Sequence, residues 1–229
     1  MKRDILERLM AAGSTRAALA LVTRLSDGRQ ALIDREVLCG DLQVSGELLR
    51  FISDCVRAER SGPLAQDEDL FVRVYAGSPR LLVVGAVHVT VALAPMASLA
   101  GFEVTVIDPR RAFGSTERFA NVTLSNDWPE EAMARLQPDA RTAVVTLTHD
   151  PKLDDPALIA ALKSPAFYIG ALGSSRTHAK RVQRLTEQGL GAEAGRIHAP
   201  VGLPLGGRSP SEIAVAIVAQ IVQERYRSP

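Results

Sequence analysis

The stretch Leu81-Leu82-Val83-Val84-Gly85-Ala86-Val87-His88-Val89-Thr90-Val91-Ala92-Leu93, with Val104-Thr105-Val106-Ile107-Asp108 after it, decides the fold. A valine-rich apolar run stops at Gly85, a helical apolar pattern continues to Gly101, and a second run from Phe102 delivers Asp108. Parallel strands joined through a helix are covered on both faces, so they read as continuous apolar runs rather than alternating ones. Both runs have that form, and the segment is predicted to be strand, turn, helix, strand. Such a unit aims a helix N-terminus at anything bound above the first strand, and an acid about 20 residues on is placed for a ribose hydroxyl. The spacing predicts a Rossmann-like nucleotide or pterin site.

The glycines argue against a standard dinucleotide fingerprint. Its three small positions fall on Gly85, Val87 and Thr90. Val87 puts a branched side chain where a pyrophosphate would approach, and Thr90 is bulkier than helix-on-strand packing prefers. The competing reading is that Gly85 only makes the turn.

Outward from this unit, the 229 residues hold one large domain, or a small one joined to a medium one. Hydrophobic residues make up 46%, enough for a sizeable core, and 27 basic residues nearly cancel 26 acidic ones. With no basic block, a nucleic-acid partner is not expected. No apolar run approaches the roughly 20 residues that span a bilayer, so a membrane is not expected either. Met1 to Met10 reads as a charged helix rather than a signal peptide, and the expected location is the cytoplasm. Cys39 and Cys55 are too few for a metal site and read as a turn residue and a helix residue.

Before the deciding stretch, Lys2 to Ala12 is predicted as a helix ending at Gly13. Ala18 to Leu25 and Gln30 to Leu38 are predicted strands around a Ser26-Asp27-Gly28 turn. Ser45 caps a predicted helix through Leu48, Leu49, Ile52 and Val56, and Leu70 to Tyr75 is a further strand. Ala76-Gly77-Ser78-Pro79 breaks the chain. The expected organisation is a small α+β domain over 1–78 and an α/β domain with a Rossmann-like parallel sheet over 79–229. No histidine precedes His88, so the first domain is expected to pack, dimerise or cover a site.

Beyond Asp108, the loop Pro109-Arg110-Arg111-Ala112-Phe113-Gly114 offers two arginines, either for a phosphate or as a solvated surface. Asn121 to Ser125 is a predicted short strand, and Pro129 opens a helix. Thr142 to Leu147 is a predicted buried strand that runs into Thr148-His149-Asp150-Pro151-Lys152-Leu153-Asp154, a polar cluster at a carboxyl end, where open parallel sheets bind ligands. A helix over Pro156 to Leu162 and a strand over Ala166 to Ile169 follow. Gly170-Ala171-Leu172-Gly173-Ser174-Ser175-Arg176-Thr177 then opens a helix to about Gln188. It reads either as an anion site, built on free amides and the helix dipole, or as an ordinary cap. His178 is expected at the surface, and Arg196 to Gly202 brings His198 to a last strand. Ser209-Pro210-Ser211-Glu212 is a capping box whose helix, Ile213 to Val222, is expected to be buried in the core or in a subunit interface.

His88, Asp108, the Thr148 to Asp154 cluster and the Gly173 to Arg176 turn thus converge on one predicted sheet edge. At this point the chain resembles the XdhC/CoxI family of accessory proteins for molybdenum hydroxylases. The resemblance is carried by Val84-Gly85-Ala86-Val87-His88-Val89, Leu147 to Asp154, Tyr168 to Thr177, Arg196 to Leu203 and Ser211-Glu212-Ile213-Ala214-Val215, and covers roughly residues 80 to 226. It implies binding of molybdenum cofactor (molybdopterin), its protection during sulfuration, and delivery to an apo-hydroxylase of the xanthine dehydrogenase or CO dehydrogenase type. It also implies a homodimer that carries rather than catalyses, with a cysteine desulfurase as a further partner. The cofactor-binding residues expected on this reading are Gly85, His88, Asp108, Arg110, Thr148, His149, Asp150, Gly173, Ser174, Arg176 and His198, with no metal-ligand set. The family's turn is Gly-Ala-Gly-His, from which Val87 departs. Its cysteine-glycine-glycine motif is here only Cys39-Gly40-Asp41, which leaves Cys39 as the one thiol to test as a soft ligand to molybdenum. The alternatives are an NAD(P)-dependent oxidoreductase, resting on the deciding stretch and Asp108, and a partner-docking protein without a ligand.

Overall fold

The structure, a computed structural model, describes residues 2–15, 18–34, 36–110, 112, 118–119 and 122–227. The chain divides into two compact units, Met1–Ser78 and Pro79–Pro229.

The first unit contains α1 (Arg3–Thr15), β1 (Leu19–Arg24), β2 (Gln30–Ile33), β3 (Val37–Gly40), α2 (Gly46–Arg57), β4 (Gly62–Leu64) and β5 (Asp67–Tyr75). Its strands form an antiparallel sheet in the order β3-β2-β1-β5-β4. Strand alternation sends Ala20, Val22, Ala31 and Ile33 to one face, where they pack against Ile52 and Cys55 of α2. Leu19, Leu21 and Leu32 go to the other face, against Ile5 of α1. Ser45 caps α2 as expected, accepting from the Leu48 amide. The predicted strand Gln30 to Leu38 is instead two strands, because the chain turns after Ile33, where the Asp34 amide bonds to the Glu36 carbonyl. β4 had no sequence signal, since three residues centred on Pro63 carry no apolar alternation.

The second unit contains β6 (Arg80–Val84), α3 (His88–Leu99), β7 (Glu103–Ile107), β8 (Thr123–Ser125), α4 (Pro129–Leu136), β9 (Thr142–Thr146), α5 (Pro151–Leu162), β10 (Tyr168–Ala171), α6 (Ser175–Glu187), a 3-10 turn (Glu193–Arg196), β11 (Ile197–His198) and α7 (Pro210–Arg225). All six strands pair in parallel, in the order β11-β10-β9-β6-β7-β8. This is the doubly wound Rossmann order, in which the first strand of the unit lies beside its fourth. Leu81, Val83, Ala143 and Val145 pack against α3 and α7. Leu82, Val84 and Val144 pack on the opposite face with α4, α5 and the Leu185 end of α6. Both faces of β6 and β9 are therefore buried, which is why those strands read as unbroken apolar runs.

Helix α5 starts at Pro151, five residues before the sequence placed it, because Asp150 accepts from the Lys152 amide as N-cap and Pro151 occupies the first turn. The capping box of α7 forms as expected, with Ser209 and Glu212 each satisfying the other's amide. α7 buries Ala214, Ala216, Ile217 and Ile221, while Val215 and Val222 are 47% and 37% exposed. Among the described residues no helix is long and apolar enough to cross a membrane.

Candidate functional site

The order reversal between β6 and β9 leaves a crevice beyond their carboxyl ends. Gly85, leaving β6, has φ +110°, and its amide donates to the Ile107 carbonyl at 2.9 Å. A Cβ there would stand 2.6 Å from the Thr148 methyl, so this position carries the loops after β6 and β9 past each other at backbone distance. Thr90, bulky by the fingerprint rule, fits: it is fully buried and its hydroxyl donates to the Gly85 carbonyl. Val87 takes the N-cap position of α3 and offers no side-chain cap, and His88 opens the helix exposed to solvent.

Asp108 occupies the position of a ribose-binding acid, but its carboxylate is already engaged. Its side chain is 1% exposed. Oδ2 accepts from the Ala86 amide at 2.8 Å and from Arg110 Nη2 at 2.8 Å, and Oδ1 accepts from the Arg110 amide and Nε at 3.0 and 2.9 Å. Burial opposes its charge, yet the Arg110 guanidinium and the two amides outweigh burial and hold the carboxyl below its usual range. Asp108 braces the loops after β6 and β7. Arg111 and Phe113-Gly114, the rest of the predicted arginine loop, lie outside the described residues.

The loop after β9 is also tightly specified. The Thr148 hydroxyl donates to Asp154 Oδ1 at 2.7 Å and accepts from the Asp150 amide at 3.0 Å. His149 is exposed and sits at φ +64°, a left-handed conformation that costs a side chain with a Cβ roughly 1–2 kcal/mol. His149→Gly is therefore expected to raise stability to urea by about 1 kcal/mol, although it removes a side chain. An unchanged or lowered midpoint would mean that the imidazole holds the loop.

The loop after β10 leads through Gly173 (φ +135°) to Ser174, which caps α6 by accepting from the Thr177 amide at 3.3 Å. Here the structure joins two predicted residues. His149 and Arg176 line one cavity of about 280 Å³ between the start of α5 and the first turns of α6. Lys180, Arg181 and Arg184 on α6 and Asp154 and Asp155 on α5 complete its charged lining. Arg184 is matched to Asp155 by two hydrogen bonds, at 2.5 and 2.9 Å. Arg181 and Asp154 are each 2% exposed, and their nearest N–O approach is 3.9 Å, beyond hydrogen-bond reach. Burial pushes the Asp154 carboxyl up against the hydrogen bonds from Thr148, and pushes the Arg181 guanidinium down. Lys180, Arg181, Asp155 and Arg184 were not singled out from sequence, where only the first turn of α6 reads as a candidate anion site or an ordinary cap.

Other predicted residues lie elsewhere. His198 stacks on Tyr168 (centroids 4.8 Å, planes 17° apart), and the Tyr168 hydroxyl donates to Gln220 of α7, so this imidazole belongs to the packing beneath α7. Burial lowers its pKa. His178 is half-buried rather than superficial, and its Nδ1 is enclosed without a partner. Cys39 lies in strand β3, not in a turn, packed with Leu38 and Leu9 against the α1 face. Burial, reinforced by Asp4, raises its pKa, which disfavours the thiolate that a soft metal needs. Iodoacetamide at pH 7.5 is expected to alkylate native Cys39 at least tenfold more slowly than a free cysteine, and equal rates would reopen the thiolate role. Among the described residues no cluster of three His, Cys, Asp or Glu side chains is arranged to hold a metal.

The six-stranded order and the loops at its switch point place this unit among Rossmann-type α/β domains that take ligands at strand ends. Residues 81–221 match the family described as the XdhC Rossmann domain, and the chain belongs to that family. It is 33% identical over 163 residues, 71% of its length, to a Bacillus subtilis protein named as a probable subunit of xanthine dehydrogenase. It is 41% identical over 95 residues, 41% of its length, to the molybdenum cofactor insertion chaperone PaoD of Escherichia coli. A crystal structure described as a xanthine dehydrogenase from Bacillus halodurans aligns with 97% of the chain, at TM-score 0.74 and 25% identity. The chain spans 48% and 30% of the two curated relatives and 64% of that crystallised chain.

Proposed function

We propose that this chain binds molybdenum cofactor as cargo and passes it to an apo-enzyme of the xanthine dehydrogenase type. The observation that carries the reading is the meeting of the β9 and β10 loops, with His149 and Arg176 on one cationic cavity, in a member of the XdhC family. The name of the Escherichia coli relative supports the cargo, and that of the Bacillus subtilis relative supports the recipient.

In this reading the cofactor lies across the crevice. Its phosphate meets Gly173, Ser174 and Arg176, and its pterin or dithiolene end meets His88, Thr148, His149 and Asp150. Gly85 and the Asp108–Arg110 pair shape the floor beneath it. His198 contributes by holding the sheet against α7. Protection of the cofactor during sulfuration, a cysteine desulfurase as donor, delivery to a CO dehydrogenase type enzyme and a homodimer are further parts of the proposal. The exposed Val215 and Val222 on α7 support the dimer. The NAD(P) oxidoreductase alternative is set aside, since a ribose hydroxyl would have to displace Arg110 or the Ala86 amide from Asp108.

Native mass spectrometry of the chain mixed with molybdenum cofactor tests the reading. The expected result is a saturable mass shift that His149→Ala or Arg176→Ala diminishes. No shift with cofactor, or a shift with NAD or NADP alone, overturns it.

A further inference from the structure

The cavity between α5 and α6 contains buried hydrogen-bonding capacity that the protein itself does not use. Arg181, 2% exposed, donates through Nη2 to the Leu172 carbonyl, while its Nε and Nη1 have no partner. Facing it, Asp154 uses Oδ1 for Thr148 and leaves Oδ2 without a partner. Leaving such groups unmade is costly, and more so when they are charged. Above them, Arg176 and Lys180 are exposed on the rim, while Arg184 is neutralised by Asp155.

We propose that this cavity is a phosphate site that reads the proton on its ligand. Two unfilled guanidinium donors require acceptor oxygens, and the rim cations require negative charge. Asp154 Oδ2, buried without a hydrogen-bond partner, requires a donor whenever the carboxylate form is present. A phosphate group carrying one O–H supplies all three, whereas sulfate, fully deprotonated, places an oxygen against the carboxylate. A phosphomonoester has a second pKa of about 6 and is taken as the monoanion at modest cost near neutral pH. Only the naming of this group as the cofactor's own phosphate rests on the carrier reading.

The test is calorimetric titration of the full chain in chloride buffer with inorganic phosphate and, at matched ionic strength, with sulfate. Expected are saturable one-to-one phosphate binding and sulfate binding at least tenfold weaker. Asp154→Asn, whose amide can donate, is expected to close that gap. Arg181→Met is expected to abolish binding. Because that position is buried, Arg176→Met/Lys180→Met provides the second variant: both side chains are exposed, and phosphate affinity should fall at least tenfold with the thermal midpoint unchanged. Absent phosphate binding, equal affinity in the double variant, or sulfate bound as tightly as phosphate overturns the proposal. Phosphate binding without cofactor binding sinks the carrier reading and keeps this site, and cofactor binding without phosphate binding does the reverse.

Discussion

Gly85→Ala is expected to destabilise the second unit by about 3 kcal/mol, one of the two largest effects of a single substitution at the site. Two costs add. At φ +110° an alanine is strained whatever the space around it, and its Cβ would stand 2.6 Å from the Thr148 methyl and 3.4 Å from the Thr148 amide nitrogen. The amide nitrogen at 3.4 Å is in ordinary contact, but the methyl at 2.6 Å clears the new Cβ only if the Thr148 side chain turns or the loop after β9 moves. Thr148 then loses its geometry toward Asp154 and Asp150. Urea unfolding reads the stability, and the cofactor mass shift should fall along with it. A midpoint within a few tenths of a kcal/mol of the parent would show that the two loops are not in contact.

Asp108→Ala is the second large effect, expected at about 2–3 kcal/mol near pH 7. It leaves the buried Ala86 amide without its acceptor, whereas Arg110, with a side chain 38% exposed, can turn to water. The substitution also has a signature in acid. Asp108 is held below the unfolded carboxyl value of about 3.9, so its contribution is present above that pH and disappears as pH falls through its folded value. The gap in urea midpoint between parent and variant should therefore narrow from pH 6 toward pH 2.5. Asp154 has the opposite sign: its folded value is raised, so its contribution is present in acid and lost as pH rises through that value. A gap between parent and Asp108→Ala that stays constant down to pH 2.5 would mean that the carboxylate does not carry the brace.

The parallel sheet was legible because a strand covered on both faces must be apolar at every position, and Leu81 to Val84 and Thr142 to Thr146 are nearly so. The start of α5 was missed although its signal was present, in an aspartate followed by a proline at Asp150-Pro151; the later Pro156 drew the boundary inward. Asp108 was located correctly by spacing, but its partner was not, because a fingerprint gives the position of an acid and not what already binds it. The α5–α6 cavity lay furthest from the sequence. Arg176, Lys180, Arg181 and Arg184 look alike in a polar helix, and only contact with α5 decides that Arg181 is sealed, that Arg184 is neutralised and that the other two remain at the rim.

The Asp108–Arg110 pair has an electrical consequence for an approaching ligand. Opposite charges 2.8 Å apart act at longer range as a dipole, whose field decays faster with distance than that of a single ion. The mouth of the crevice beside Gly85 is thereby quiet beyond the first few ångströms. For the anionic ligand proposed above, the rim of the α5–α6 cavity, with its surplus of cations, would be felt first, so capture is expected to begin at one edge of the site and settling into the crevice to come second.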